Sequence, residues 1–360
     1  MTNRERILNT FLGKPTDRAP FGIGLGFITW NETYERWQAE SGLRDLDLGT
    51  YHGFDNGFAV APVEYGPWPH FDAKVIKDEG DTVVAFDWRG ITTRTMKTGE
   101  SMPEFLDYPV KTEEDWTRYK EERLLPDFEG RLAGLTELES IKYKDVPVQV
   151  GAFPWGHFGT ARDLLGAEEL LVGFYTMPEV IHDMMESYTT LWLKLYERIQ
   201  EQVQIDHIHI WEDMSGRQGS LISMEMVEEF MMPQYDRIAA FAKANHVPLI
   251  SVDSDGMVDE LLGVMTRHGV NVFLPFEVQA GNDIRTYRKR YPELGIWGGL
   301  DKNALADGQP LSALHAELDK ASEMLAAGRY IPCLDHLVPP NVSWKTWCYF
   351  IEHLKRLSGI

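Results

Sequence analysis

Apolar positions at Ile7, Leu8, Phe11 and Leu12 recur at helical spacing, and Thr2 with Glu5 has capping-box spacing, so the chain predicts a helix at its start. Lys14-Pro15-Thr16-Asp17 breaks that pattern. Phe21-Gly22-Ile23-Gly24-Leu25 then reads as a short strand, and a helix over 32–41 comes next with Asn31 as its cap. Two β-rich runs, 82–88 and 90–96, join through Arg89-Gly90 and predict a β-hairpin, an excursion from the main fold spanning about 73–110. Residues 111–147 are charged and mostly helical in pattern.

From residue 148 a regular alternation sets in. Strand-like runs at 148–152, 207–211, 248–252, 272–276, 295–298 and 329–332 are separated by helical stretches. Pro178 opens a long helix to about 203, where its missing N–H costs nothing, and Ser223 caps another to about 245. Further helices are expected over 257–268, 282–291, 311–326 and 343–357. With strands near 20–25 and 55–61 the count reaches eight, which predicts an α/β fold, a (β/α)8 TIM barrel, as one domain over 1–360. A doubly wound open sheet is the alternative, but no GxGxxG turn succeeds the first strand.

Composition narrows the function. The 360 residues carry 35 Lys and Arg against 56 Asp and Glu, a net charge of −21, which leaves no cationic excess for nucleic acid or an anionic membrane surface. No run of roughly 18 apolar residues occurs, and Met1–Arg6 lacks a signal peptide's apolar stretch. The two cysteines, Cys333 and Cys348, give no disulfide framework. These features predict a cytoplasmic protein, and a homodimer is compatible with them.

Residues just past the strand ends suggest the chemistry. Glu212-Asp213, Asp253-Ser254-Asp255-Gly256, Glu277, Asp301 and Asp335-His336 end five consecutive strands, and barrel active sites form at strand C-termini. Helix capping explains part of this, since Asp255 precedes the helix expected at Met257 and Asp301 precedes one near Asn303. Strand alternation puts Ser251, Asp253 and, two residues on, Asp255 on one face. Two carboxylates at that spacing plus a histidine from a neighbouring strand end are adequate ligands for Zn²⁺. His207 and His209 share the face opposite Ile208 and Ile210, and read as barrel histidines bonded to their neighbours. The aromatic loop Phe153-Pro154-Trp155-Gly156-His157-Phe158-Gly159 suits either a flat substrate or a packed turn. Arg162 is expected to reach an acid across the barrel top, and Cys333 to be a buried strand cysteine.

Several stretches resemble the uroporphyrinogen decarboxylase superfamily in their order along essentially the whole chain. They are Arg4-Glu5-Arg6-Ile7 through Pro15-Thr16-Asp17-Arg18-Ala19-Pro20, Gly151-Ala152-Phe153, Ile210-Trp211-Glu212-Asp213-Met214, Val252-Asp253-Ser254-Asp255-Gly256, Gly298-Gly299-Leu300-Asp301-Lys302 and Tyr330–Pro340. The resemblance implies a (β/α)8 barrel and two branches, the true decarboxylase and the corrinoid-linked methyltransferases. The decarboxylase's active-site histidine would match His336. Its arginines after the first strand have no counterpart here, where Gly24-Leu25-Gly26-Phe27-Ile28-Thr29-Trp30-Asn31 is aromatic instead. The methyltransferase branch holds Zn²⁺ with an H-x-C pair and a final cysteine, positions resembling Asp253, Asp255 and His336, so hard ligands replace soft ones.

The resemblance therefore implies a corrinoid-dependent methyltransferase. It would move a methyl group from a methoxylated, aromatic small molecule to the Co(I) of a corrinoid protein, an O-demethylation. The donor would sit among Phe27, Trp30, Phe153, Trp155 and Phe158. Zn²⁺ on Asp253, Asp255 and His336, or an acid such as Glu212 or Glu277, would engage the ether oxygen, with His336 also a catalytic candidate. The cobalamin would be carried by a partner protein. A decarboxylase of a small carboxylic acid and a non-catalytic ligand-binding barrel are the alternatives.

Overall fold

The strands alternate with helices as the period change along the chain requires. In the computed structural model, which describes residues 1–98, 102–125, 127–138, 140 and 145–360, they are β1 (Ala59–Val60), β2 (Lys74–Asp78), β3 (Thr82–Phe86), β4 (Thr92–Met96), β5 (Glu104–Asp107), β6 (Val148–Val150), β7 (His207–Trp211), β8 (Ser215–Gly216), β9 (Gly219–Ser220), β10 (Leu249–Ser254), β11 (Val272–Pro275), β12 (Gly295–Trp297) and β13 (Tyr330–Ile331). The sheet β1-β6-β7-β10-β11-β12-β13 is parallel throughout and curls into a TIM-type barrel wall.

The eighth position differs from the sequence expectation. Residues 20–25 are not a strand; a single 3-10 turn, Leu25–Phe27, closes this stretch instead. The segment still fills the gap between β13 and β1. The Phe21 carbonyl accepts from Asp55 N at 2.8 Å, and the Ile23 carbonyl accepts from Trp297 Nε1 at 3.0 Å. Gly24 has φ +118°, and a Cβ there would stand 2.5 Å from Trp297 Nε1, so a side chain is excluded on both counts. A glycine-punctuated run packed this closely cannot keep a regular ladder. The 55–61 strand likewise shrinks to two residues.

The predicted hairpin is half of a larger unit. β2, β3, β4 and β5 form a four-stranded antiparallel sheet in sequence order. The Asp87 carboxylate accepts from Arg89 N and Ile91 N, each at 2.9 Å, shaping the β3–β4 turn that carries Arg89 toward the barrel mouth. The first helix, Asn3–Phe11, packs at the barrel's N-terminal end: Phe11 meets the Trp297 ring at 5.9 Å, and Arg4 pairs with the buried Asp206. Thr2 and Glu5 form the expected capping box. At the second helix the cap position belongs to Trp30, which makes no side-chain cap bond, and Asn31 is already helical. The helix expected from Met257 begins at Asp259 after Val258, so Asp255 caps nothing and stays available to the site. Asp301 does cap, accepting from Asn303 N. Among the described residues no helix is long and apolar enough to cross a membrane.

Candidate functional site

At the C-terminal ends of the strands lies a cavity of about 1020 Å³, at the upper limit of what is usual for small-molecule sites. Its walls are largely apolar: Phe27, Phe54, Phe58, Phe105, Phe153, Trp211 and Trp297. Its polar members are Arg89, Gln149, Arg162, Asp163, His209, Asp213, Asp253, Asp255 and His336. The acids that end β10 thus reach the cavity because the strand's alternation continues past Ser254. On β10 the inward side chains are Ser251 and Asp253, paired in register with His209 and Trp211 of β7.

Burial dominates the electrostatics. Asp253 is only 7 % exposed, and its side-chain carboxyl accepts no hydrogen bond among the described residues. Burial first, then the charges of Asp255 and Asp213, hold its carboxyl well above the ordinary range. Asp255 is pushed up to about 7, chiefly by burial, with Asp213 and Glu277 adding repulsion. His336 Nε2 lies 3.7 Å from Asp255 Oδ2, and burial with nearby Lys302 lowers the imidazole. Both basic side chains of the cavity are already paired: Arg89 with Asp163 at 2.5 Å and Arg162 with Asp213 at 3.0 Å. Arg162 also lies over the Trp211 ring, which Phe153 meets edge-on at 4.7 Å.

The expected site residues divide between the cavity and the core. Asp253, Asp255, His336, Phe27 and Phe153 line the cavity, whereas Glu212, Glu277, Trp30, Trp155 and Phe158 do not. Glu212 is fully buried beneath the helix His157–Leu165, whose first backbone N–H groups bond to its carboxylate: His157 at 3.0 Å, Phe158 at 2.6 Å and Gly159 at 3.4 Å. Tyr235 adds its hydroxyl at 2.7 Å. Glu212 thus answers the unpaired donors of a helix start. This packing needs Gly156, since a Cβ there would meet the Trp211 carbonyl at 2.0 Å. Glu277 accepts from Gly256 N, bracing the Asp255 loop from behind. Trp155 packs against Gly66 and Trp88, and Phe158, inside the helix rather than on a loop, stacks with Phe174.

Sequence reasoning favours Glu212 and misses its neighbour Asp213. The parity that places His207, His209 and Trp211 inward leads to Asp213, not Glu212. Asp213 sits at φ +43°, a rare setting for a residue with a side chain, held by backbone bonding to Asp253 O. Arg89 is missed too, because the antiparallel sheet gives no hint in sequence that its turn overhangs the barrel.

The donor set does not match the metal that the resemblance implies. Among the described residues no three His, Cys, Asp or Glu side chains stand together as an ion's ligands. Of Asp253, Asp255 and His336, only the last two are paired. Cys333 bonds to the Leu334 carbonyl, and burial pushes its thiol up to about 12. As arranged, these side chains do not fit a Zn²⁺ site, and no chemical step is assigned to one.

A family model described as "Uroporphyrinogen decarboxylase (URO-D)" matches residues 2–357. The chain belongs to the uroporphyrinogen decarboxylase family. A solved methyltransferase from Methanosarcina mazei superposes on this family member with a TM-score of 0.61 at 15% identity, covering 100% of this chain and 98% of that one. That is a likeness of fold, and it agrees with the curled parallel sheet. A glycosylated endo-β-1,4-xylanase from Gloeophyllum trabeum reaches a TM-score of 0.36 at 11% identity, covering 64% of this chain and 83% of that one, and carries no argument. No curated protein matches the sequence. Within the family, the loop after the first strand position contributes Gly24, Leu25, Phe27 and Ile28 to the cavity and no arginine.

Proposed function

We propose that this protein is a methyltransferase that takes the methyl group of a methoxylated aromatic small molecule and passes it to a corrinoid carried by a separate protein. The observation that carries the reading is the pairing of aromatic walls with two buried carboxyls, Asp253 held well above the ordinary range and Asp255 pushed up to about 7, so that Asp255 can hold or give up a proton near neutral pH. An aryl methyl ether is flat, apolar and uncharged. Its methyl carbon becomes transferable only when the departing oxygen is relieved of charge, and a proton donor at that oxygen supplies this. The corrinoid, when docked, would supply the methyl-accepting nucleophile.

The chain's own residues account for the rest. Phe27, Phe153 and Trp211 hold the ring and exclude water. The Asp255 carboxyl donates to the ether oxygen, and burial with the charges of Asp213 and Glu277 favours its protonated form. The Asp255–His336 contact gives the proton a route of return. Phe153, 69 % exposed at the rim, leaves the mouth accessible to a docking protein. A polyanionic substrate would meet both cavity arginines already paired with Asp163 and Asp213. The test is incubation with reduced cobalamin and a panel of methoxyarenes, with the freed phenol detected by mass spectrometry. Phenol formation supports the reading; none from any donor, with CO₂ released from a carboxylic acid instead, overturns it.

A further inference from the structure

Inside the barrel, four polar side chains of β6, β7 and β10 form a continuous hydrogen-bonded chain that the methyl-transfer step does not use. Gln149 faces His207 in register, and His209 faces Ser251. The links are Gln149 Nε2 to the Gly151 carbonyl (3.0 Å), Gln149 Oε1 to His207 Nδ1 (3.1 Å), His207 Nε2 to Ser251 Oγ (2.6 Å) and Ser251 Oγ to His209 Nδ1 (2.9 Å).

The direction of every proton in this chain is set from one end. A carbonyl only accepts, so the Gln149 amide nitrogen must face Gly151 and its oxygen must face His207. That oxygen only accepts, so His207 carries its proton on Nδ1. His207 is buried with no carboxylate bonded to it, and burial together with its neighbour His209 holds it well below its ordinary value; the ring is neutral and Nε2 is bare. Ser251 therefore spends its single proton on His207 Nε2. Its oxygen has only lone pairs left for His209, which must donate from Nδ1. His209 is also neutral, held down to about 4 by burial. Its Nε2 is then a bare acceptor without a protein partner among the described residues, on a residue that lines the cavity.

We infer that the methyl donor carries, beside its methoxy group, a free hydroxyl that donates to His209 Nε2, so that the cavity selects methoxyphenols over rings whose oxygens are all methylated. This rests on the methoxyarene reading and refines it. Two polar groups lining the cavity are complementary: Asp255 offers a proton to an ether oxygen, and His209 accepts one from a hydroxyl. A fully methylated ring would cover this acceptor and leave it unmet, which costs binding about tenfold or more.

Binding is measured without turnover, by calorimetry, for 2-, 3- and 4-methoxyphenol, each against its dimethoxybenzene counterpart. At least one methoxyphenol is expected to bind about tenfold tighter than its partner, with the ratio falling below about threefold in Ser251→Ala, which frees the His209 tautomer. Equal affinity in all three pairs overturns the inference and leaves the methoxyarene reading standing. Absence of binding by all six removes both. Ring ¹⁵N spectra of the ligand-free wild-type protein provide an independent check: His207 and His209 both protonated on Nδ1 supports the chain, and an Nε2–H tautomer at His209 overturns it.

Discussion

Glu212 is the acid that sequence reasoning places at the reacting centre and the structure places under a helix. Replacing it separates those roles. In Glu212→Gln one oxygen becomes an NH₂ facing backbone donors that have no other acceptor, and the charge at the helix start is lost. Glu212 takes three backbone N–H groups and the Tyr235 hydroxyl, all buried. Even with partial relaxation, losing charge-assisted bonds to it destabilises by about 2–4 kcal/mol, and Glu212→Ala, which strands every donor, by about 3–5 kcal/mol. The pH dependence carries a sign. Burial alone would raise this carboxyl, but the bonds from His157, Tyr235 and the backbone outweigh it and the net shift is downward. Its stabilisation is thus present above the unfolded-state carboxyl value and is lost as pH falls through the folded one. Urea unfolding monitored by tryptophan fluorescence at pH 7 measures the loss directly, and repeating it down the acid limb should show a shallower fall in the glutamine variant. Ligand affinity in the folded variant should remain at the wild-type level. A stability change under about 0.5 kcal/mol, together with abolished turnover, would refute this reasoning and return Glu212 to the reaction.

Other expectations are more local. Asp255→Asn should keep methoxyarene affinity within about threefold while slowing methyl transfer by about 10²-fold or more, checked by single-turnover kinetics against equilibrium binding. Asp335 is fully buried and raised to about 6 by burial, against backbone bonds from Val278 and Lys302 that lower it. Its contribution to stability is therefore whole below the unfolded value of 3.8 and lost as pH rises through about 6, amounting to about 3 kcal/mol that Asp335→Asn should remove from the pH profile of urea unfolding. Phe153→Ala, at an exposed rim position on Trp211, should leave the unfolding midpoint unchanged and weaken donor binding about three- to tenfold by calorimetry.

Much of the barrel is legible because its buried parallel strands carry β-branched and apolar residues, continuous at β11 and alternating with polar ones at β7, and because Ser223 and the Thr2–Glu5 pair cap where their chemistry says. The closing segment at 20–25 is not, since it joins the wall through close glycine packing rather than a ladder. The outer strands of the antiparallel sheet, Lys74–Asp78 and Glu104–Asp107, are exposed along their whole length and so show no alternation to read. In the site, Asp253 and Asp255 are reached by strand parity, and the same rule applied to β7 chooses Asp213 over Glu212. Phe158 is misplaced on a loop because a helix beginning at His157 turns it toward the core. The direction of the Gln149–His207–Ser251–His209 chain depends on which carbonyl meets the amide, and that lies beyond any pattern in the sequence.

The central claim, that a protonated Asp255 relieves the departing ether oxygen, is tested most directly by the pH profile of single-turnover methyl transfer from a bound methoxyarene to reduced cobalamin, in wild type and Asp255→Asn. The wild-type rate should be level below about pH 7 and fall about tenfold per unit above it, with the variant slow and flat. A wild-type rate that climbs through neutrality, or a variant that retains the wild-type profile, would contradict it.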